Sequence, residues 1–180
     1  MVYMFLANGF EEVEALCPLD LLRRAGVSVT TVAIGGSDSV IGSHGIAVQA
    51  DIPETLYRDA KPEMIILPGG MPGSANLDAS RTVDTALRVA AASNAYLAAI
   101  CAAPMVLGKR GYLQGKRATC FPGFEEHLIG ATLAKERVVT DQKTITAAGM
   151  GVALEFGLAL VAALKGQNTA DELRRAVLAD

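Results

Sequence analysis

The sequence has little of what most often announces a function. Its 180 residues include only three cysteines and two histidines. Three is an odd number, Cys17, Cys101 and Cys120 are scattered, and no CxxC pair occurs. A disulfide framework and a structural zinc site are both poorly supported on that count. No ligand cluster points to a metal, and no motif asks for a cofactor. There is no basic block either. Lys and Arg number 16 against 19 Asp and Glu, for a net charge of −3, which argues against charge-driven nucleic-acid binding. No positive charge precedes the short apolar run from Met1 to Ala7, so it reads as a strand and not as a signal peptide. The longest apolar stretch, Val152 to Leu164, is too short to span a bilayer and contains Glu155. These absences lead us to expect a soluble cytoplasmic protein with reduced thiols.

What is present is apolar and patterned. Hydrophobic residues make up 51% of the chain and charged residues 19%. A chain of this length is expected to fold as one domain, 1–180, and to bury roughly 70% of its unfolded surface. Continuously apolar stretches predict buried strands at Val2 to Leu6, Val27 to Ile34, Met64 to Leu67 and Tyr96 to Ile100. Helix-like spacing predicts helices at Glu11 to Ala25, Thr82 to Ala92, Ala102 to Lys109, Val152 to Leu164 and Thr169 to Leu178. Pro18 lies inside the first helix, so a kink or break is expected there. A small hairpin is expected within Ser37 to Asp51, and shorter strands at Arg117 to Cys120, Arg137 to Thr140 and Thr144 to Thr146. Alternating strands and helices argue for an α/β protein, with a parallel sheet covered by helices on both faces. Ligands of such sheets sit at the carboxyl ends of the strands.

Three turns at strand ends carry the candidate chemistry. In Ala99-Ile100-Cys101-Ala102-Ala103-Pro104 an apolar strand runs into a helix with a cysteine at the junction and alanines two positions to either side. This layout resembles a nucleophile elbow, in which a tight turn lifts the nucleophile above the sheet edge. A helix N-terminus aimed at the sulfur is expected to favour thiolate. The competing reading is a buried structural cysteine. In Leu67-Pro68-Gly69-Gly70 the glycines permit positive φ and close backbone approach, and the Gly70 N–H is placed to face an oxyanion near Cys101. A phosphate loop has no supporting motif, and a plain tight turn remains the alternative. In Asn8-Gly9-Phe10-Glu11-Glu12-Val13-Glu14 three carboxylates open a helix, which reads first as a solvated capping cluster. Glu14, however, shares a side with Cys17 and Leu21, and a carboxylate in an apolar setting can act as a general acid or base. His127 reads as a surface histidine. His44, in a glycine-rich turn, can present its ring to a partner's site. Cys17 and Cys120 read as small core residues.

Leu6 to Glu14, Leu67 to Gly70 and Ala98 to Pro104 together resemble the ThiJ/PfpI superfamily, and within it the branch of the Parkinson's-associated deglycase and its bacterial relatives. Arg23-Arg24-Ala25-Gly26 and Glu155-Phe156 extend the resemblance along essentially the whole chain. It implies a flavodoxin-like sandwich and a homodimer. It implies that Cys101 is an oxidation-prone nucleophile, that Glu14 hydrogen-bonds its sulfur, and that the N–H groups of Gly70 and Ala102 form an oxyanion site. It implies a cysteine-dependent glyoxalase or deglycase acting on methylglyoxal or its adducts, with a role in carbonyl and oxidative stress protection. The alternative is a redox sensor or redox-activated chaperone that uses the same cysteine without turnover. Two departures bear on this. Ala102 stands where protease-like members carry His, which argues against a Cys–His protease dyad. Phe121 stands before Pro122 where some deglycase-branch members carry His, so base chemistry falls to Glu14 or to a His44 reaching across a dimer. A thiamine-pathway role has no motif support.

Overall fold

The structure, a computed structural model, describes residues 1–58 and 61–179. In chain order the elements are β1 (Val2–Ala7), α1 (Glu12–Arg24), β2 (Val29–Ile34), β3 (Ser39–Ile41), β4 (Ala47–Gln49), β5 (Ile52–Pro53), β6 (Met64–Leu67), α2 (Gly73–Ala79), α3 (Arg81–Ala92), β7 (Tyr96–Ile100), α4 (Pro104–Lys109), β8 (Arg117–Ala118), β9 (Thr132–Leu133), β10 (Val138–Asp141), β11 (Thr144–Ala147), α5 (Ala153–Lys165) and α6 (Gln167–Ala176). Seven strands form one sheet in the order β10-β11-β7-β6-β1-β2-β5. Neighbours pair in parallel except β10, which runs antiparallel to β11. Two small two-stranded sheets, β3-β4 and β8-β9, lie outside it.

The continuous apolar strands are explained by burial on both faces. In β1 the side chains of Val2, Met4 and Leu6 join one core, while Phe5 and Ala7 join the other. The first core takes Leu22 from α1 and Phe156 and Val161 from α5. The second takes Val83 and Leu87 from α3 and Val106 from α4. Each such side chain removed from water contributes about 1.5–3 kcal/mol.

The helix α1 runs unbroken through Pro18, against the expected break. Pro18 lacks the N–H that would bond the Glu14 carbonyl one turn earlier. The helix is held instead by packing: Gly157 of α5 lets Pro18 and Leu21 approach so closely that a side chain there would meet Leu21 Cδ1. Its end follows the sequence signal. Gly26, at φ +69°, sits at C′, and the N–H groups of Gly26 and Val27 return to the carbonyls of Arg23 and Leu22, at 3.0 Å each.

Several short elements escape the apolar pattern. The helix α2 has Leu77 as its one large apolar residue and begins on a glycine. The strand predicted to Cys120 stops at Ala118. The helix predicted from Ala102 begins at Pro104.

Candidate functional site

The chain order places β1 between β6 and β2, with β7 beyond β6, so the loops after β1, β6 and β7 meet at one end of the sheet. Each of the three turns singled out in the sequence lies there. Cys101 follows β7 at φ +64°, a left-handed conformation that costs a residue with a Cβ and is found at functional turns. Its N–H donates to the Ala147 carbonyl at 2.9 Å, and its own carbonyl accepts from Phe121 N–H at 2.8 Å, so both peptide groups are fixed.

Glu14 comes to this sulfur from the first turn of α1. It is 1% exposed, and Cys101 hydrogen-bonds its carboxyl. The carboxylate also accepts from Gly69 N–H at 3.0 Å and from the N–H of Met150. Burial pushes Glu14 up to about 7. The Glu11 charge adds to that, while the bonds from Cys101, Gly69 and Met150 oppose it. The N–H groups of Gly70 and Ala102 also hydrogen-bond this sulfur. Gly70 holds φ +87°, and a side chain there would strike the Glu11 and Phe10 backbone. Cys101, Glu14, Gly70 and Ala102 are therefore gathered at one point.

The thiol differs from the expectation of a lowered pKa. Burial pushes it up to about 12, the Glu14 charge adds, and the two N–H groups only partly offset these. The physical reason is local. The helix α4 starts three residues after the sulfur and has six residues, so its dipole reaches Cys101 weakly. Two groups in such contact titrate as a pair. The first proton leaves Glu14 near neutrality, and the carboxylate so formed accepts a hydrogen bond from the thiol. The second ionisation is the one pushed to about 12.

The remaining residues divide. Glu11 caps α1 as expected, its carboxylate accepting Glu14 N–H at 2.7 Å. Glu12 does not lie on a solvated face. It is 4% exposed, with Nδ1 of His44 at 2.7 Å. His44 is exposed and bound within its own chain. Glu11, Glu12 and His44 each bring one potential ligand atom within 4.8 Å of the others, a grouping that the sequence does not reveal. Glu11 Oε2 is engaged in the helix cap, and the Glu12 carboxylate is engaged by His44. His127 is partly exposed in a short turn, 3.7 Å from Glu126. Cys120 is buried and Cys17 half-buried against the core. Burial raises both thiols, Cys120 to about 11.

The sequence pointed to Gly69 only as part of its turn and to Phe121 only as the residue before Pro122, and it did not point to Met150. Gly69 is required because a side chain would collide with the Glu14 carboxylate and the Cys101 Cβ. The Gly149-Met150-Gly151 turn was the available signal for a third N–H at the site. A cavity of about 580 Å³ opens beside this turn, walled by Cys120, Phe121, Pro122, Gly149 and Met150, with Arg137 at its edge.

The sequence matches the DJ-1/PfpI family over residues 1–163. The chain belongs to this family. It is 34% identical over 177 residues to "Protein dj-1beta" of Drosophila melanogaster, covering 97% of this chain and 95% of that one. It is 36% identical over 170 residues to "Protein DJ-1 homolog B" of Arabidopsis thaliana, covering 93% of this chain but only 39% of that protein's length. The structure of Toxoplasma gondii DJ-1, oxidized, superposes with a TM-score of 0.95 at 32% identity, over 98% of this chain and 97% of that one. The flavodoxin-like fold expected from the sequence is shared with these DJ-1 proteins. The family includes enzymes, among them a relative named isonitrile hydratase from Pseudomonas putida, 35% identical over 121 residues, covering 66% of this chain and 53% of that one. Among the described residues no helix is long and apolar enough to cross a membrane.

Proposed function

We propose that this DJ-1/PfpI protein is a cysteine-dependent glyoxalase or deglycase that acts on methylglyoxal or its adducts. The single observation that carries the reading is the hydrogen bond between Cys101 and a buried Glu14 whose carboxyl titrates near neutrality. A carbonyl substrate enters from the cavity beside Met150. The sulfur passes its proton to ionised Glu14 as it adds to the aldehyde carbon. The oxygen that becomes negative is met by the N–H groups of Gly70 and Ala102. For methylglyoxal, Glu14 returns the thiol proton to this oxygen, then as carboxylate carries the proton from the former aldehyde carbon to its neighbour, and water releases lactate from the resulting thioester. For an adduct, the sulfur displaces the amine or thiol at the former aldehyde carbon, and Glu14 hands the departing group the thiol proton. No cofactor is needed for any of these steps.

The working form is a homodimer in the cytoplasm. Exposed Val13, Leu16, Ile41 and Ile46 on α1 and the β3–β4 hairpin offer apolar surface for a second copy. Three free thiols suit a reducing compartment.

One feature also favours oxidation sensing without turnover. A partly buried cysteine with two N–H donors and a protonatable carboxyl beside its sulfur suits a sulfinate, which would accept hydrogen bonds from all three. One experiment separates the two. Lactate formation from methylglyoxal is measured for the wild type, Cys101→Ser and Glu14→Gln, beside intact mass after mild peroxide. Turnover that disappears in both variants supports the enzyme. Absence of turnover, with Cys101 gaining two oxygens only when Glu14 is present, supports the sensor.

A further inference from the structure

One carboxylate fastens the turn of the β3–β4 hairpin to the start of α1. Glu12 Oε1 accepts His44 N–H at 2.7 Å. Glu12 Oε2 lies 2.7 Å from His44 Nδ1 and accepts from Ser43 Oγ at 3.4 Å. Gly42 has no side chain to spare, since one would run into this carboxylate. The neighbouring backbone strengthens the grip. Ser43 N–H donates to the Phe10 carbonyl at 2.7 Å, Gly9 N–H to the Ile41 carbonyl at 2.8 Å, and Ile41 N–H to Asn8 Oδ1 at 2.9 Å. The segment from Asn8 to Glu12 is thus held along one side by the hairpin.

Its other side holds the surroundings of Cys101. Glu11 N–H donates to the Gly69 carbonyl at 2.9 Å, and Gly73 N–H donates to the Gly9 carbonyl at 3.1 Å. The Glu11 carboxylate accepts Glu14 N–H. Glu12 therefore sits one residue from the group that fixes the Gly69-Gly70 turn, and two residues from the carboxyl on the sulfur. A buried carboxylate with every partner in place resists displacement, because moving it leaves a charge unpaired in the interior.

We infer that Glu12 and His44 are positioning residues, whose clasp sets where Glu14 and the Gly70 N–H stand against Cys101. The inference deepens the proposed function, resting on its Cys101–Glu14 pair but not on any substrate. It gives His44 a task within its own chain, in place of one across a dimer.

The test is the pH profile of Cys101 alkylation by iodoacetamide in the full chain, followed by mass spectrometry from pH 5 to 10, with a thermal melt of each variant. In His44→Ala the profile shifts upward by about one pH unit, so the rate at pH 7 falls about tenfold. In His44→Asn, whose amide nitrogen takes the place of Nδ1, most of the rate returns. Should His44→Ala melt below the assay temperature, Ser43→Ala, which removes the hydroxyl from Glu12 and from His44 Nδ1 but leaves the 2.7 Å contacts between Glu12 and His44, shows a smaller shift in the same direction. A lowered melting point with a profile that overlays the wild type in these variants would overturn the inference and leave the clasp as a structural tie. Because alkylation needs no substrate, a failure to form lactate does not affect the result.

Discussion

Gly69 donates its N–H to Glu14 Oε2 at 3.0 Å, and the side chain it lacks is the space that Glu14 and Cys101 occupy. The contact that places the carboxyl and the vacancy that admits the sulfur thus belong to one residue. In Gly69→Ala the new methyl meets the carboxylate, the Cys101 Cβ and the Ile100 carbonyl together. Urea unfolding should show a loss of about 1–3 kcal/mol, the usual cost of overpacking. Cys101 alkylation at pH 7 should slow by more than tenfold in the protein that remains folded.

Gly157 provides the contrast. A methyl there meets Leu21 Cδ1 and the Pro18 backbone, far along α1 from its first turn. Gly157→Ala should cost a similar amount of stability. Its alkylation profile should match the wild type.

Stability should fall as pH rises through neutrality. Glu14 is raised from 4.5 to about 7, so the folded state holds its proton more tightly than the unfolded state. Its contribution is complete below pH 4.5 and is lost on the way to pH 7, by up to about 3 kcal/mol. His44 acts in the same direction. Its hydrogen bond to Glu12 raises its pKa above 6.5, so its contribution is complete below that value and is lost as pH rises through the raised one. At the acid end the clasp fails only as pH falls toward 2. Burial pushes Glu12 up, but the bonds from His44 outweigh it and hold the carboxyl at about 2. Chemical denaturation from pH 5 to 8 should show the decline in the wild type, a much flatter profile in Glu14→Gln, and an intermediate one in His44→Ala.

Much of this was legible in the residues. Apolar strands without alternation announced a two-faced sheet, and Cys101 between flanking alanines announced the elbow. The Gly69-Gly70 turn and the position of Glu14 completed a set whose order matches the family. What stayed hidden depends on partners distant in sequence. Glu12 looks like any first-turn acid until His44, 32 residues on, closes over it. The Met150 N–H reaches Glu14 from a loop 136 residues later, and no local pattern encodes that approach. The helix α2 carries too few apolar residues to show a period. Pro18 predicts a break that packing against Gly157 overrides. The thiol lies above its ordinary value because of burial and the Glu14 charge, neither of which a strand–helix junction reveals.

The proposed function depends most on Glu14, ionised near neutrality, taking the thiol proton of Cys101. The direct measurement is the rate of Cys101 alkylation against pH in the wild type and in Glu14→Gln. The wild-type rate should rise with a midpoint near pH 7, where Glu14 titrates. In Glu14→Gln no group is left to take the thiol proton, and the midpoint should move above about 8.5, the ordinary value for cysteine. A wild-type midpoint at or above that of Glu14→Gln would contradict the account.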